Sequence, residues 1–148
     1  MWICALCSAM FLTIFNLAYG AGHKEAIETN DMPTRAQQFM KAHFGKATLY
    51  AYRDDDKFKV KTSTYQEVEF DKNGRWEEIE NTRHQSLPAS VIALLPAPAH
   101  SYMTAHFPGG IIYEIKRDDK GYVVKMEGEK VKIRFDPQGN YVKHKSLK

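Results

Sequence analysis

Residues 37–61 read QQFMKAHFGKATLYAYRDDDKFKVK, and a related stretch, HSYMTAHFPGGIIYEIKRDDKGYVVK, follows at residues 100–125. At an offset of 63 residues the apolar positions of the two stretches coincide. The coinciding pairs include Phe39 with Tyr102, Met40 with Met103, and Phe44 with Phe107. Two single-residue insertions raise the offset to 64 and then to 65, which aligns Phe70 with Phe135. Because the insertions fall where turns are expected and the matches fall on apolar positions, we predict a duplicated structural unit.

Each copy begins with a helical pattern and continues as short strands. Pro33 and Pro96 stand at the predicted helix starts, where a missing amide hydrogen costs nothing. Further along, Val131, Ile133 and Phe135 alternate with basic residues, which is typical of a strand with one buried face. The sequence therefore predicts an α+β fold of two tandem helix-plus-four-strand antiparallel units. Together they form one sheet of roughly eight strands, with helices on one face and solvent on the other.

The composition excludes several classes of protein. The chain has 148 residues, of which 43% are hydrophobic and 26% are charged, and its formal net charge is +3. This length suffices for one domain or two small units with a buried core. A net charge of +3 is too small to indicate nucleic acid as a partner, so no nucleic-acid function is expected.

The first 22 residues contain no Lys, Arg, Asp or Glu. Ile3 to Leu17 has the apolar character of a secretory signal core, and Ala18-Tyr19-Gly20 supplies the small residues of a cleavage site. We expect residues 1–20 to be a signal peptide and residues 21–30 to be an N-terminal linker. The competing interpretation is a membrane anchor, for which the apolar run is marginal in length. No membrane span is expected after cleavage.

Cleavage after Gly20 would remove both cysteines, Cys4 and Cys7, with the signal. The mature protein would then hold no disulfide, no thiolate nucleophile and no cysteine-ligated metal. An exported domain without disulfides is typical of a bacterial envelope. A periplasmic or secreted location is therefore predicted.

The repeated pattern also resembles a known family. The pattern Pro-(helix)-Phe-Met-Lys-Ala-His-Phe is followed by a hairpin near Asp55 and Asp56 and by Val-Glu-Phe-Asp-Lys-Asn-Gly-Arg-Trp. It is similar to the PepSY-like family of beta-lactamase-inhibitor-like secreted proteins of Bacteroidetes-type bacteria. The resemblance covers about Asp31 to Lys145 and rests on core and turn positions. The implied organisation is a first PepSY-like repeat at 31–80, a connector at 81–94 and a second PepSY-like repeat at 95–148.

The resemblance implies a fold like that of the beta-lactamase inhibitor protein, in which tandem helix-plus-four-strand units form a concave sheet. The mature part of this chain lacks the cysteines of that inhibitor. It also has no position-by-position match to the inhibitory loops. Inhibition of a beta-lactamase is therefore not expected.

Catalytic chemistry finds little support in the sequence. The six histidines form no His-x-His or His-Glu-x-x-His pair, and His43 and His106 are interpreted as structural residues in the last turns of the two predicted helices. The acidic runs Asp54–Asp56 and Asp118–Asp119 lack the alternating ligands of a calcium loop and are interpreted as hairpin tips. No nucleophile elbow, phosphate loop or Ser/His/Asp arrangement occurs in the sequence. We predict no catalytic, cofactor-binding or metal-binding residues.

The charge distribution along the chain is uneven. Residues 1–80 hold 10 basic and 12 acidic residues, whereas residues 81–148 hold 11 and 6, so the net charge changes from −2 to +5. A run of charge on the solvent-facing phase of a strand is ordinarily a solvated face. The alternative is an electrostatically steered site for a partner. The candidate partner-binding residues are Lys59, Glu67, Glu69, Lys125, Lys132 and Arg134.

The leading hypothesis is an exported, non-enzymatic binding module that docks a protein or peptide of the cell envelope through the exposed sheet face. A narrower form of this hypothesis is an inhibitor of an envelope protein or peptidase. The alternative is an envelope small-molecule carrier with a pocket between the helices and the sheet. A hydrolase whose polar residues converge only in the fold is a third alternative.

Overall fold

The computed structural model describes residues 24–148, which form one antiparallel sheet covered by helices on one face. Nine strands lie side by side in chain order. They are β1 (Lys24–Ile27), β2 (Leu49–Asp54), β3 (Lys57–Thr62), β4 (Gln66–Phe70), β5 (Trp76–Asn81), β6 (Ile111–Asp118), β7 (Gly121–Glu127), β8 (Val131–Phe135) and β9 (Tyr141–Ser146). The helices are α1 (Thr34–Phe44), α2 (Ala89–Ile92) and α3 (Ala97–His106), and a short 3-10 helix spans Thr29–Asp31. Within residues 24–148, each helix is too short to cross a membrane.

The sheet has nine strands, where roughly eight were predicted, and it is continuous rather than divided into two clearly tandem units. The additional strand, β1, lies in the segment 21–30 that was predicted as a linker. Its backbone pairs with β2 over four residues. A strand at the edge of a sheet is held by main-chain hydrogen bonds, so it needs no strong side-chain pattern. The predicted signal peptide, residues 1–20, lies outside the described residues.

A row of six buried side chains crosses the middle of the sheet. Each strand from β3 to β8 contributes one β-branched residue without exposed surface, and the six are Val60, Val68, Ile79, Ile115, Val124 and Ile133. The strand register places each member of this row directly opposite the next. β-Branched side chains pack well on a pleated surface. Because side chains alternate along a strand, the row decides which side of every strand the helices cover.

Two phenylalanines connect the sheet to the helices. Phe70 and Phe135 are fully buried at the ends of β4 and β8. The ring of Phe39 on α1 meets Phe70 edge-on, with 5.6 Å between the ring centroids, and the ring of Tyr102 on α3 meets Phe135 at the same distance. Edge-to-face contacts of this kind are favourable beyond the apolar area that they bury. The two helices therefore dock on the sheet in the same way.

Two turns of the same sequence type hold the starts of α1 and α3. Asp71 and Asp136 each accept hydrogen bonds from two backbone amides of their own turn. Gly74 and Gly139 follow with φ angles of +77° and +89°. A Cβ atom at these glycines would meet the proline before the nearby helix at 2.9 Å and 2.6 Å. Glycine is therefore required at both turns by the backbone angle and by the close approach.

Replacing Phe135 with alanine is expected to lower the free energy of unfolding by about 3–5 kcal/mol, because a fully buried ring is removed from beneath α3. Urea unfolding followed by circular dichroism measures the change. Val142→Ala is the matched control, since Val142 is 50% exposed and its truncation is expected to cost less than about 0.5 kcal/mol. Equal losses for the two variants would contradict the assignment of Phe135 to the core.

Candidate functional site

The face of the sheet opposite the helices is lined by charged side chains, and two neighbouring cross-strand rows define this open face. The first row runs Tyr50, Lys61, Glu67, Glu80, Glu114, Lys125, Lys132 and Lys145. The second row runs Tyr52, Lys59, Glu69, Glu78, Lys116, Val123, Arg134 and Lys143. The six candidate partner-binding residues all lie in these rows: Lys59, Glu67, Glu69, Lys125, Lys132 and Arg134. Strand alternation predicts their common face, whereas their order across the sheet comes from strand pairing.

The centre of the open face is acidic. Five carboxylates stand on the adjacent strands β4, β5 and β6, and this acidic centre consists of Glu67, Glu69, Glu78, Glu80 and Glu114. The register places Glu69 directly opposite Glu78, and Glu80 opposite both Glu67 and Glu114. Like charges at directly opposed positions destabilise a sheet. The acidic centre therefore needs cations beside it.

Lysines from both flanks neutralise part of the acidic centre. Lys59 Nζ lies 3.0 Å from a carboxylate oxygen of Glu69. On the other flank, Lys116 Nζ lies 2.6 Å from Glu78. Lys125 Nζ lies 2.5 Å from Glu114, whose side chain is only 4% exposed. A buried carboxylate requires such a partner, because an unpaired charge without water is costly.

The pKa values of Glu69 and Glu80 are shifted in opposite directions. Burial acts to raise the pKa of Glu69, but hydrogen bonds from Lys57 and Lys59 outweigh it, so this pKa lies below its usual value. Burial raises the pKa of Glu80, and repulsion from the neighbouring carboxylates of the acidic centre raises it further. The charged form is therefore less favourable for Glu80 than for Glu69.

Three members of the acidic centre lie close enough together to share a cation. Glu78, Glu80 and Glu114 each place one carboxylate oxygen within 4.8 Å of the others. Carboxylate oxygens are the ligands that Ca²⁺ and Mg²⁺ prefer. In the structure, Lys116 and Lys125 already contact two of the three carboxylates. The group is thus arranged as an ion-pair network. Sequence reasoning missed it because Glu114 is far from the other two along the chain.

The last two strands make the far end of the open face basic. Lys132 lies directly opposite Lys145, and Arg134 lies opposite Lys143; we call these four residues the basic end. Arg134 is paired with Asp118 at 3.0 Å, and its hydrogen bonds lower the pKa of that carboxyl. Within residues 24–148, the three lysines of the basic end have no carboxylate within 4 Å. The basic end lines a hollow of about 460 Å³.

The basic end and four members of the acidic centre occupy aligned positions of the repeated sequence. At the offset of 65 residues the aligned pairs are Glu67 with Lys132, Glu69 with Arg134, Glu78 with Lys143, and Glu80 with Lys145. The sign of the charge is inverted in all four pairs. Between the pairs on β4 and β8 the buried residue stays apolar, as Val68 and Ile133 show. On β9 the position aligned with the buried Ile79 is the exposed His144. In the sequence this inversion is visible as the difference in net charge between residues 1–80, at −2, and residues 81–148, at +5.

His43 and His106 lie in the last turns of α1 and α3, as the sequence predicts. His43 Nδ1 lies 2.9 Å from Ser90 Oγ and joins α1 to the segment of α2, and burial lowers the pKa of His43. His106 Nδ1 lies 3.0 Å from the carbonyl oxygen of Tyr102, and the two rings stack at 4.0 Å. Neither of these contacts brings a carboxylate that would orient the imidazole as a general base. His43 therefore links α1 to the segment of α2, and His106 packs within α3.

Two apolar hollows lie beside the helices. The first has a volume of about 360 Å³, and its apolar lining includes Met32, Met40, Phe44 and Leu49. The second has a volume of about 260 Å³, and its apolar lining includes Met103, Phe107, Ile112 and Met126. The hollows occupy aligned positions of the repeated sequence. They lie where a carrier would hold a small molecule.

Known proteins resemble this chain in sequence and in fold. A family model described as "Putative beta-lactamase-inhibitor-like, PepSY-like" matches residues 56–143. A "putative calcium-regulated periplasmic protein" of Bacteroides thetaiotaomicron is 32% identical with a TM-score of 0.75, and the match covers 83% of this chain and 97% of that one. Two "putative periplasmic" proteins of Bacteroides vulgatus are 28% and 25% identical, with TM-scores of 0.75 and 0.74, and are matched over their full length and over 86% and 84% of this chain. No curated protein gives a significant match.

Glu80→Gln is expected to stabilise the protein by about 0.5 kcal/mol at neutral pH, because it removes a carboxylate that faces two others. Since the pKa of Glu80 is raised in the folded state, the folded state binds this proton more tightly than the unfolded state. Ionisation of Glu80 therefore lowers the free energy of unfolding of the wild-type protein. The loss develops as the pH rises through the pKa of Glu80 in the unfolded state and then through its pKa in the folded state. Urea unfolding at neutral pH and near pH ~4 should show the advantage of the variant shrinking at the lower pH.

Glu69→Gln is the matched substitution with the opposite expected sign. It removes contacts with Lys57 and Lys59 that lower the pKa of Glu69. We expect a loss of about 0.5–1 kcal/mol at neutral pH, which disappears as the pH falls through the lowered folded pKa. If the two variants shift the urea midpoint in the same direction, the account of the acidic centre is wrong.

Proposed function

The chain belongs to the PepSY-like family of beta-lactamase-inhibitor-like proteins, and we propose that it is a non-catalytic module that binds a protein or peptide partner through the open face. The protein is periplasmic or secreted, like the similar Bacteroides proteins that are described as periplasmic. Its partner is therefore a component of the cell envelope or its surroundings. The proposal is supported by a surface on which like charges are placed directly opposite one another.

The observation that carries the proposal is the segregation of charge on the open face. The acidic centre and the basic end each set like charges directly opposite one another. A solvated face without a partner would be more stable with alternating signs, because opposite charges attract across strands. A partner with complementary patches would relieve the repulsion in both places. Complementary charge also sets the orientation of a complex and speeds its association.

The duplication predicted from the sequence is part of this proposal, with repeats at 31–80 and 95–148. The order of the elements supports it, because α1 is followed by β2 to β5 and α3 is followed by β6 to β9. The aligned turns that hold the two helix starts support it as well. Divergence of surface charge after duplication would give one sheet two different patches. A partner could then bind in only one orientation.

Capture from a periplasmic extract tests the proposal. Tagged wild-type protein is compared with Lys132→Glu and with Lys132→Glu/Arg134→Glu, which place carboxylates in the basic end. We expect the partner to be retained by the wild type, and its recovery to fall by about tenfold or more in the variants. Quantitative mass spectrometry measures the recovery. The single variant is included because Arg134 also pairs with Asp118.

Lys46→Glu/Lys72→Glu is the matched control for the capture. It makes the same change in net charge at two exposed lysines in the α1–β2 and β4–β5 connections. Thermal melts verify that each variant is folded. An equal loss of partner in the control, or no loss with Lys132→Glu, would contradict docking through the open face. Parallel captures with calcium chloride and with EDTA test whether calcium affects docking, since a similar Bacteroides protein is described as calcium-regulated.

Inhibition of the partner is the narrower form of this function. The identity of the captured partner determines which activity is measured to test it. If the partner is an enzyme such as a peptidase, its activity is measured with and without the wild-type protein. Loss of that activity at stoichiometric protein is the expected result for an inhibitor. Lys132→Glu should then restore the activity.

A small-molecule carrier is the second candidate, and the two apolar hollows beside the helices favour it. Pockets for small ligands are concave and mostly apolar, with volumes of several hundred Å³. Mass spectrometry of the protein purified from the envelope, under native and denaturing conditions, tests this function. A carrier is expected to show an additional mass only under native conditions. Identical masses would count against it.

A further inference from the structure

The outer edge of β9 is a second candidate binding surface, separate from the side chains of the open face. Within residues 24–148, β9 is the last strand of the sheet and pairs only with β8. All six of its residues are exposed, including Tyr141 and Val142. A free strand edge presents unpaired backbone donors and acceptors to another strand. Such an edge is a recurring site for the addition of an extended peptide.

The hydrogen-bond pattern identifies the backbone groups that face outward. Leu147 donates its amide N–H to the carbonyl of the residue just before β8. Because hydrogen-bonded positions alternate in an antiparallel pair, Lys145 and Lys143 also direct their backbone groups toward β8. His144 and Ser146 therefore direct their N–H and C=O groups away from the sheet. The edge offers two donors and two acceptors to one further strand.

The aligned edge in the first half of the chain is covered. At the offset of 65 residues β9 corresponds to β5, and β5 pairs along its outer edge with β6. There Lys116 lies opposite Glu78, and the two side chains form an ion pair of 2.6 Å. The residue of β9 aligned with Glu78 is Lys143. A strand that covered β9 in the same way would therefore carry an acidic residue opposite Lys143.

We infer that β9 is the docking edge for an acidic extended segment of a partner protein, which adds to the sheet as a tenth strand. Side chains of a strand alternate between faces, so acidic residues at every second position would lie on the open face beside Lys143 and Lys145. These two lysines occupy non-hydrogen-bonded positions toward the new strand, where opposed side chains come closest. The intervening positions would be apolar and lie on the face of Tyr141. The inference rests on the proposed function, because it names the chemistry that the basic end binds.

The charges in the N-terminal part of this sequence and at the opposite edge of the sheet do not match such a segment. Residues 1–23 contain neither Asp nor Glu. The strand at the opposite edge, β1, places Lys24 and Ala26 on the open face, since they pair with Asp54 and Tyr52. A second copy joined through β9 would oppose the lysines of the two copies, which is unfavourable. The charges therefore favour a foreign acidic strand over self-pairing.

Peptide binding tests the inference. The probe is acetyl-TEVEVET-amide, with acetyl-TKVKVKT-amide as the charge control. A second control is the acidic peptide N-methylated at its valines, whose N–H groups would face β9, so that it keeps its charge but loses those main-chain donors. We expect the acidic peptide to bind about tenfold or more tightly than either control in calorimetry at low salt. It should also protect the amides of His144 and Ser146 from hydrogen exchange.

The protein variants complete the test. Lys143→Glu/Lys145→Glu should weaken binding of the acidic peptide by about tenfold or more, and Lys46→Glu/Lys72→Glu should leave it unchanged. All four side chains are exposed, and thermal melts verify the folds. Equal binding of the N-methylated peptide, or protection at β1 in place of β9, would overturn strand addition. A dimer in sedimentation equilibrium whose formation protects the amides of His144 and Ser146 from hydrogen exchange would overturn it in favour of a second copy.

The inference and the proposed function fail separately. If Lys132→Glu abolishes capture of the envelope partner while no peptide protects β9, docking through the open face stands and strand addition is overturned. If the acidic peptide protects β9 while capture is unaffected by Lys132→Glu, strand addition stands and the wider docking surface is overturned.

Discussion

Six β-branched side chains form an unbroken buried row across β3 to β8, and the positions of the helices and charges depend on it. A slip of one of these strands by one residue would expose its member of the row and, in all but one direction on β7, bury a charged neighbour. Burial of an unpaired charge is far more costly than exposure of one valine. The register of the sheet is therefore strongly specified. The helices α1 and α3 have one apolar surface on which to pack.

The open face is the other consequence of the same row. The residues on either side of each row member project away from the helices, so Glu67 and Glu69 flank Val68 and the basic residues of β8 flank Ile133. Their charges can vary because the register is specified by the buried row and the turns and does not depend on the charges. Repulsion between opposed like charges is modest beside the burial of the row. The fold can therefore hold like charges directly opposite one another on the open face, which is the surface that the proposed function uses.

Local patterns predicted much of this structure. The period of two placed the six candidate residues on one face, and the repeat placed α1 and α3 before their strands. The resemblance to the PepSY-like family and the periplasmic or secreted location are confirmed by the family model and the similar Bacteroides proteins. The strand count was wrong, because β1 is a short edge strand held by backbone pairing with β2. The role of the six residues in binding stays a prediction.

The sequence by itself determined which residues share a face, where the turns lie and which family the chain belongs to. These properties are local, because alternation, turn residues and core spacing are read within a few neighbouring positions. Only the tertiary structure decided that Glu80 lies between Glu67 and Glu114. It alone also decided that, among residues 24–148, β9 has a free edge while its counterpart β5 is covered by β6. Strand partners are chosen by contacts between distant parts of the chain, which no local period encodes. The charged residues were therefore visible in the sequence, whereas the residues opposite them in the sheet could be identified only from the folded structure.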